Sequence, residues 1–558
     1  MPLRKVMPWA AAILSAALLE LPFPLAGPMP PWRGLFAFVG LVPLLWAILT
    51  PSESPRPLRH AFLIGYLCGV LWYAGNCYWI YDTMQIHGGI PPIGALGILL
   101  LYSLVLGLYF GLFTLALKFI AHRIGIGMAL IAAPFLWTGL DLAGARITSV
   151  PWDQLGYSQV NNYFLTVFAP WTGVYGITFV LVAINAMYAG IRLGVFRLGK
   201  NRFAVQEWSL CMSLGALLLM NGYLGRPPET PGTATAVLVQ PNLDVDATSA
   251  WPGPLWDQNI SQFRHFATQA DRSYLVGIPE TGSPTLVPEC FQPCANPSLI
   301  AWPESPAPFF QDEDRFRNAM KQLALTTHSP LIIGGVGMEQ TPDELHYFNS
   351  GMVFDQSGTP QGRYDKIHLV PYGEFIPYRN LFFFAKKLTH KVEDLSRGTD
   401  RRTFLLTGAD GQQHRYGIFI CYESVFADEI RHFALNGAEV LVNISDDGWY
   451  GDTSAPWQHL NMARMRAIEN RRWILRDTNN GVTSVIDPYG RVRQSIPRHT
   501  VGALVAQYGF NSETTFYTRH GDVFAWACAI LSIGFVAWSF NTRLALKVQI
   551  KSGPEQIS

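Results

Sequence analysis

Repeated long apolar runs constrain this sequence more than any other feature. A helix needs about 20 predominantly apolar residues to cross the roughly 30 Å hydrocarbon core of a bilayer. Runs of that kind lie near residues 7–25, 34–50, 61–83, 93–120, 126–144, 163–191, 206–224 and 523–540. Only 15% of the 558 residues are charged, against about 25% in an average soluble domain. The pattern predicts an α-helical membrane bundle of eight transmembrane helices.

Positive charge in the short loops predicts the orientation of these helices. Alternate loops hold Arg4, Lys5, Arg56, Arg59, Lys118, Arg123, Arg192, Arg197, Lys200, Arg202, Arg543, Lys547 and Lys551. The opposite short loops hold only Arg33, Arg146 and Arg226. Because Lys and Arg are retained on the cytoplasmic side of a membrane, both termini are predicted to be cytoplasmic. The segment from about 225 to 522 then lies outside the cytoplasm, which is the periplasm in a two-membrane bacterium.

The first apolar run admits a second interpretation, a secretory signal peptide. Arg4 and Lys5 precede a short apolar core, as they do in such peptides. Glu20 and Pro22 interrupt the run, however, and no convincing cleavage site follows, so a retained helix is favoured. The predicted domains are therefore transmembrane helices one to seven over 1–224, a water-exposed domain over 225–522, and a last transmembrane helix with a cytoplasmic tail over 523–558.

Short apolar runs replace the long ones after Thr235. Runs of four to eight apolar residues are typical of buried strands. They occur at Thr235–Gln240, Leu299–Trp302, Leu331–Gly335, Tyr416–Ile420, Val440–Ile444, Trp473–Arg476, Thr483–Ile486 and Gly502–Ala506. Stretches with a helical pattern, Asp314–Thr327 and Trp457–Asn470, lie between some of them. Strands interleaved with helices predict a layered α/β domain.

Three reactive residues follow predicted strands of this domain: Glu304, Lys366 and Cys421. A carboxylate can take the proton of a thiol and later return one to a leaving group. A lysine ammonium can stabilise the thiolate and the oxyanion that develops during acyl transfer. The three residue types together make a plausible acyl-transfer site. Each one alone has an ordinary alternative, an inert buried Cys or a surface Glu or Lys, and their spacing along the chain does not show that they meet.

The segments around these three residues resemble a known superfamily. Trp302-Pro303-Glu304, Lys366 followed by His-Leu-Val-Pro-Tyr-Gly-Glu, and Cys421-Tyr422-Glu423-Ser424 are similar to the Glu-Lys-Cys triad segments of the nitrilase, or carbon–nitrogen hydrolase, superfamily. The predicted spans and the HLVPYGEFIP segment narrow the resemblance to the apolipoprotein N-acyltransferase family. Further matching segments are 152–159 (WDQLGYSQ), 173–176 (GVYG), 447–451 (DGWYG), 457–459 (WQH) and 479–481 (NNG). The resemblance implies an αββα sandwich for the outer domain.

The resemblance also implies a reaction. Cys421 attacks an acyl ester of a phospholipid, usually the sn-1 chain, and forms a thioester while lysophospholipid leaves. The N-terminal amine of a diacylglyceryl-cysteine on an apolipoprotein then accepts the acyl chain, which is the final step of lipoprotein maturation. In this scheme Glu304 is the general base and acid, and Lys366 stabilises the oxyanion. Two substrates that use one thiol in turn imply ping-pong kinetics.

Several other residues receive roles by resemblance. Glu374 resembles the superfamily's second glutamate, which holds the Lys and Cys in place, while Tyr422 and Glu423 resemble essential neighbours of the nucleophile. Trp256, Trp449 and Tyr450 resemble lipid-contacting positions, with ordinary packing as the alternative. The aromatic run 381–384 (LFFF), followed by Lys386 and Lys387, is interpreted as an arm dipping into the membrane interface or as a core helix.

Composition limits the remaining partners and cofactors. Seven scattered cysteines include no metal-ligand pattern, so no metal or cofactor is expected. A net charge of +1 argues against nucleic-acid binding. Cys290 and Cys294 lie in a Pro-rich stretch, 274–296, that departs from the family pattern, and they form either a small-loop disulfide or two free thiols. The expected partners are a phospholipid donor, an apolipoprotein acceptor and membrane lipids, with the chain acting as a monomer.

Two other functions are open from the sequence. In the first, a membrane-tethered amidase or nitrilase, water takes the acyl group from the thiol. The membrane half argues against this function, because hydrolysis of a small soluble amide needs no membrane base. In the second, the outer domain has no chemistry and only binds lipid or lipoprotein. The presence of Glu304, Lys366 and Cys421 together argues against that one.

Overall fold

The computed structural model describes residues 2–51, 54–195, 226–245, 254–269, 276–277, 285–286, 297–304, 309–342, 344–371, 373–375 and 395–551. The chain divides into two compact units. The first unit comprises Met1–Tyr78, Leu96–Arg226 and Asp522–Ser558, and the second comprises Trp79–Ala95 and Pro227–Gly521. The described part of the first unit is helical, and every described strand belongs to the second unit.

The first unit is built from apolar helices, as the long apolar runs predict. Its described α-helices of eight or more residues are Pro2–Glu20, Val42–Leu49, Pro57–Asn76, Pro92–Ile124 (from Leu96 onward), Ile126–Ala143, Val174–Arg192 and Val523–Lys551, and a 3₁₀ helix spans Pro31–Phe38. Within the described residues, five helical segments are long and apolar enough to cross a membrane: Pro31–Leu49, Pro92–Ile124, Ile126–Thr148, Val174–Arg192 and Val523–Thr542. A sixth is added if Pro57–Asn76 and Trp79–His87 are counted as one broken span. These helices agree with a membrane protein, while eight spans stay a prediction.

Breaks interrupt some of the predicted spans. The run 163–191 is divided into the short helices Tyr163–Thr166 and Ala169–Thr172 and the longer helix Val174–Arg192. The last break lies at Gly173, whose φ of 64° is readily adopted only by glycine. Apolar composition alone does not reveal such a break. The predicted span near 206–224 lies outside the described residues.

The second unit contains two six-stranded sheets. Its strands are β1 (Ala234–Gln240), β2 (Val276–Gly277), β3 (Thr285–Leu286), β4 (Leu299–Trp302), β5 (Leu331–Gln340), β6 (Leu345–Phe354), β7 (Pro360–Asp365), β8 (Thr403–Thr407), β9 (Gln413–Ile420), β10 (Val440–Ser445), β11 (Trp473–Thr478), β12 (Ser484–Ile486), β13 (Val492–Ser495) and β14 (Gly502–Tyr508). The first sheet has the order β14-β1-β4-β5-β6-β7, and the second has the order β13-β12-β11-β10-β9-β8. Strands β2 and β3 form a separate two-stranded ladder.

The two sheets face each other across a hydrophobic core. Successive side chains on a strand point to opposite faces, and Ile418 and Ile444 of the second sheet lie against Gly351 of the first. On its other face, the second sheet meets the helices Ala427–Leu435 and Ala455–Asn470, where Phe433 lies against Gly417. The helices Pro254–Gln269 and Asp314–Thr327 share a further apolar cluster with the outer face of the first sheet. The layers are therefore αββα, as the family resemblance implies.

The strands and helices predicted for this domain from short apolar runs are confirmed. Each of the eight predicted strands overlaps an observed one, and the predicted helix Asp314–Thr327 forms with those bounds. The runs are almost wholly buried, as in β10, where all six residues are inaccessible. Buried strands need no polar face, which explains why continuous apolar runs predicted them correctly.

Candidate active site

The three reactive residues follow the carboxyl ends of strands in the two facing sheets. Glu304 lies just after β4, Lys366 directly follows β7, and Cys421 directly follows β9. All three are nearly inaccessible, with exposed fractions of 7%, 1% and 4% respectively. The Nζ atom of Lys366 lies 3.0 Å from Oε1 of Glu304, and the charges of both act on the Cys421 thiol. The structure thus brings together three residues that lie far apart in the chain.

Lys366 is held between two carboxylates. Its Nζ atom also donates to Oε1 of Glu374 over 2.9 Å. The second oxygen of Glu374 accepts the backbone N–H of Val370 over 2.8 Å, and the second oxygen of Glu304 accepts that of Asp446 over 2.9 Å. All four carboxylate oxygens therefore have donors, so both side chains are fixed in position. Glu374 thus contacts Lys366, and its supporting role in the reaction stays a prediction.

Asn349 on β6 completes this network, and the sequence did not single it out. Its Nδ2 atom donates to Oε1 of Glu304 over 2.6 Å and to Oε1 of Glu374 over 2.7 Å. Its backbone carbonyl accepts the N–H of Lys366 over 2.9 Å. Asn349 thereby links both carboxylates to the start of the Lys366 loop. The only sequence signal was an amide in an otherwise largely apolar strand, and many strands contain one without any such role.

We expect Asn349→Ala to slow the first chemical step by about 10- to 100-fold. The variant removes a donor from each of two neighbouring carboxylates, and a hydrogen bond to a charged group contributes about 1.5–3 kcal/mol, with each 1.36 kcal/mol equal to tenfold in rate. The measurement is the rate of acyl adduct formation on Cys421 by intact mass spectrometry. Asn436→Ala is the matched control, because Asn436 is an exposed residue of the same domain. A wild-type rate in Asn349→Ala would contradict the role.

Burial and charge oppose each other at Lys366 and Cys421. Burial alone would lower the pKa of the Lys366 ammonium, but Glu304 and Glu374 outweigh it and hold that pKa well above its ordinary value. Burial, followed by the charge of Glu304, raises the pKa of the Cys421 thiol well above its ordinary value, although Lys366 acts in the opposite direction. The ammonium is therefore charged and the resting thiol protonated at neutral pH. A base must therefore take the thiol proton before the sulfur can act as a nucleophile, and among the neighbouring charged groups Glu304 acts most strongly on that thiol.

The backbone at Cys421 turns sharply. Its φ of 47° lies in the left-handed region, which non-glycine residues adopt at a cost of order 1–3 kcal/mol. The strand β9 ends at Ile420, and a short 3₁₀ helix begins at Cys421 and ends at Val425. A strand–turn–helix of this kind can present a nucleophile at the carboxyl end of a strand, and hydrolases with a serine nucleophile use a comparable turn. The strained backbone persists only if its surroundings hold it in place.

Glu423 is one of those surroundings. It is fully buried, and its Oε2 atom accepts the N–H of Ile420 over 2.7 Å. Its Oε1 atom accepts the Tyr364 hydroxyl over 2.8 Å and the N–H groups of Ile367 and His368 over 2.7 and 3.1 Å. One carboxylate therefore joins the Cys421 turn of the second sheet to the Lys366 loop of the first. The neighbouring residue Tyr422 is largely buried, with its ring edge-on to Phe426.

Glu423→Gln should destabilise the domain by about 3 kcal/mol. The new amide group presents hydrogens where N–H or O–H donors already point, and each buried donor left without an acceptor costs about 1–3 kcal/mol. Thermal unfolding of the purified protein in detergent measures the effect as a lowered transition temperature. Glu339→Gln provides the control, because Glu339 is exposed at the end of β5. An unchanged transition temperature in Glu423→Gln would show that these contacts are dispensable.

The three aromatic residues predicted to contact lipid differ in their surroundings. Trp256 is 6% exposed and packs edge-on against Phe309 in the outer apolar cluster of the first sheet. This is the ordinary packing that the sequence left as the alternative. Tyr450 is buried, and burial, followed by the influence of Cys421, raises the pKa of its hydroxyl well above its ordinary value. Trp449 is 41% exposed. The lipid-contacting roles of all three residues stay predictions.

The Trp449–Tyr450 pair is contacted by the segment Trp79–Ala95 of the same unit. The Thr83 hydroxyl donates to the carbonyl of Trp449 over 3.0 Å. The ring of His87 lies 5.6 Å from that of Trp449, and the ring of Trp79 lies 5.2 Å from that of Tyr450. A segment that the sequence assigned to the membrane bundle thus contributes contacts beside the candidate site.

Some predicted features fall outside the described residues. These are Cys290 and Cys294, most of the 274–296 stretch, and the 381–384 run with Lys386 and Lys387. Among the residues that the structure does describe, no group of three or more His, Cys, Asp or Glu side chains is arranged to hold a metal ion.

Comparison with known proteins covers nearly the whole chain. Residues 15–187 match the apolipoprotein N-acyltransferase N-terminal domain, and residues 256–514 match the carbon–nitrogen hydrolase family. A Geobacter metallireducens protein named apolipoprotein N-acyltransferase is 32% identical over 536 residues, which cover 95% of each chain. A Chlorobaculum tepidum protein of the same name is 27% identical, over 93% of this chain and 94% of its own. Among solved structures, Saccharomyces cerevisiae Nit3, of the nitrilase superfamily, matches 50% of this chain and 92% of its own at 16% identity, with a TM-score of 0.35.

Proposed function

Because the chain belongs to the apolipoprotein N-acyltransferase family, we propose that it completes lipoprotein maturation by transferring an acyl chain from a phospholipid, at its sn-1 position, to the N-terminal amine of a diacylglyceryl-cysteine. The chain is an enzyme of the membrane, an acyltransferase that N-acylates lipoproteins, as the match over 95% of its length to a relative of that name indicates. That match carries the proposal. The phospholipid donor and the steps below rest on the geometry of the candidate site.

The first half of the reaction loads the thiol. Glu304 takes the proton of Cys421 as the sulfur attacks the ester carbonyl carbon, and the electron pair of the C=O bond moves to oxygen. Lys366 stabilises that oxyanion. The oxyanion then collapses, the bond from carbon to the glycerol oxygen breaks, and Glu304 returns its proton to the leaving lysophospholipid. Two observations support this sequence of steps. Glu304 and Lys366 are already in contact before substrate binds, and the resting thiol is protonated, so it needs a base.

The second half transfers the acyl chain. The neutral amine of the lipoprotein attacks the thioester carbon, its proton passes to Glu304, and the C–S bond breaks to form an amide. The departing thiolate recovers that proton from Glu304. An amine must react in preference to water at this stage, and the 4% exposure of Cys421 supports a site that excludes water. One thiol used in turn by two substrates gives ping-pong kinetics.

The location of the substrates suggests the topology. Both lipids sit in the same membrane leaflet, so the αββα domain must face that leaflet. We propose eight spans in the bacterial inner membrane with both termini cytoplasmic. Helices one to seven then occupy 1–224, the periplasmic catalytic domain 225–522, and the last helix and tail 523–558. The Lys and Arg distribution in the loops supports this orientation. We propose that the chain acts as a monomer.

Intact mass spectrometry of the purified full-length protein tests the function. The protein is incubated with a dipalmitoyl phospholipid in detergent micelles, and then with a synthetic diacylglyceryl-cysteine peptide. We expect one palmitoyl adduct on the protein, followed by its disappearance and the appearance of N-palmitoylated peptide. An N-acetylated form of the same peptide is the control, because it has no free amine and should leave the adduct in place.

The alternative outcomes separate the other functions. An adduct that decays equally fast without any amine would indicate a hydrolase of the carbon–nitrogen hydrolase type. Absence of both the adduct and the acylated peptide would contradict the proposal.

A further inference from the structure

His459 contacts the backbone of the nucleophile Cys421 and takes no part in the steps above. It belongs to the helix Ala455–Asn470 and is fully buried. Its Nε2 atom lies 2.9 Å from the backbone carbonyl oxygen of Cys421. A carbonyl oxygen only accepts hydrogen bonds, so Nε2 carries a proton and donates it. Because Nε2 already donates its proton to this carbonyl, it cannot accept the proton of the thiol. Glu304 therefore stays the base for the thiol in the proposed mechanism.

The opposite edge of the imidazole is held by buried charges. Its Nδ1 atom lies 2.9 Å from Oδ1 of Asp447 and 3.1 Å from a guanidinium nitrogen of Arg476. Arg476 in turn donates to Oδ2 of Asp447 over 2.7 Å. Burial would raise the pKa of Asp447, but Arg476 and then His459 outweigh it and hold that pKa well below its ordinary value. Asp447 is therefore ionised, and the ring has one orientation in which it can satisfy both edges.

A fixed carbonyl at Cys421 also fixes the N–H that follows it. The peptide unit is planar and trans, so the carbonyl of Cys421 and the N–H of Tyr422 point in opposite directions. The hydrogen bond from His459 draws the carbonyl toward the helix Ala455–Asn470 and so turns the N–H away from that helix. The left-handed backbone of Cys421 needs such a restraint, because it costs free energy that its surroundings must offset.

We propose that His459 is a positioning residue that holds the Cys421–Tyr422 peptide so that the Tyr422 N–H points at the oxyanion of the acyl-transfer step, opposite Lys366. The inference rests on the proposed function, since it needs an oxyanion at this site. His459 then acts through the backbone of its neighbour and touches neither substrate nor thiol. Removing one oxyanion donor typically slows catalysis by about 10²–10³-fold, which sets the size of the expected effect.

Two substitutions separate this role from a purely structural one. The amide nitrogen of a glutamine reaches the place of Nε2, so His459→Gln keeps the donor to Cys421. The shorter asparagine reaches only the place of Nδ1, so His459→Asn keeps a polar group beside Asp447 and loses the donor to Cys421. If His459 served only the Asp447–Arg476 cluster, the asparagine variant would be the milder of the two.

Two reactions of the same thiol provide the readout. Acylation by a dipalmitoyl phospholipid passes through an oxyanion. Alkylation by iodoacetamide needs the same thiol and base but forms no oxyanion. We expect His459→Asn to slow acylation by about 100-fold and alkylation by less than about threefold, with both rates within about tenfold of wild type in His459→Gln. Both rates are followed by intact mass spectrometry of the full-length protein.

Acylation within threefold of wild type in His459→Asn would overturn the inference, as would an equal loss of both reactions. If His459→Asn fails to fold, His459→Gln decides the question. A folded His459→Gln protein that loses acylation but not alkylation would overturn the inference, and one that keeps acylation would support it. The proposed function is judged separately on the wild type: a wild-type adduct together with an overturning result from the variants contradicts only the role of His459.

Discussion

Cys421→Ala should abolish formation of the acyl adduct and conversion of the lipoprotein peptide. The proposed mechanism passes through one sulfur atom, and an alanine leaves no atom that could carry the acyl chain. Loss of a nucleophile in enzymes that act through a covalent intermediate lowers turnover by about 10⁴- to 10⁶-fold, which places this variant below detection in the assay. The measurement is intact mass spectrometry after incubation with phospholipid, followed by analysis of the acceptor peptide.

Cys528→Ala is the matched control for this experiment. Cys528 is a buried free cysteine in the helix Val523–Lys551 of the other unit, and its loss should leave the adduct unchanged. Cys421→Ala removes only one sulfur atom, so the variant should stay folded. Equal thermal transition temperatures of the variant and the wild type would exclude unfolding as the cause of the lost activity. An adduct of normal yield in Cys421→Ala would assign the nucleophile to another residue.

Glu304→Gln should have the second largest effect, a loss of about 10³-fold in the rate of adduct formation. The glutamine is the same size and still offers an oxygen to Lys366, but it cannot take a proton, and general base catalysis contributes about 10²–10⁴-fold. The protonated thiol makes this loss severe, because burial and the charge of Glu304 raise the pKa of Cys421. In Glu304→Gln the charge of Glu304 no longer raises the pKa of the Cys421 thiol, but burial, the larger cause, still does.

Alkylation distinguishes this role from that of His459. In Glu304→Gln the reaction with iodoacetamide at pH 7 should slow together with acylation, because both need the thiolate. In His459→Asn only acylation should slow. Glu339→Gln, on the exposed end of β5, should change neither rate. Undiminished acylation in Glu304→Gln would remove Glu304 from the role of base.

The elements that carry the site were largely predictable from the sequence. Buried strands read as continuous apolar runs, so β4, β9 and β10 were found with boundaries accurate to a few residues. Glu304 and Cys421 stood out because each is a reactive group directly after such a run. The membrane helices were predictable for the same reason, since length and composition reveal an apolar run. Breaks within such a run, as at Gly173, depend on local backbone geometry and did not show.

The resemblance pointed to Glu374 and Glu423 as supporting residues, but the contacts of Asn349 and His459 were not predictable. Asn349 contacts Glu304 and Glu374 across 45 and 25 positions of the chain, and His459 contacts Cys421 across 38. An amide in a strand and a histidine on a helix have many ordinary explanations. Only the pairing of the strands and the packing of the helix against the sheet reveal which residues these side chains contact. The sequence also did not show that the Trp256 ring lies in the apolar cluster on the outer face of the first sheet, and its lipid-contacting role stays a prediction.

The kinds of element in this protein follow from its sequence, because the length and periodicity of apolar runs decide whether a segment suits lipid, a buried strand or an amphipathic helix. The sequence also supplied a carboxylate, an ammonium and a thiol as candidate reacting groups and, through resemblance, the family. The hydrogen bonds that join Lys366 to Glu304 and Glu374, and the buried side chains that hold the Cys421 turn, became known only from the fold. Those properties arise from distances of about 3 Å between residues of different strands, and the order of residues along a chain does not specify such distances.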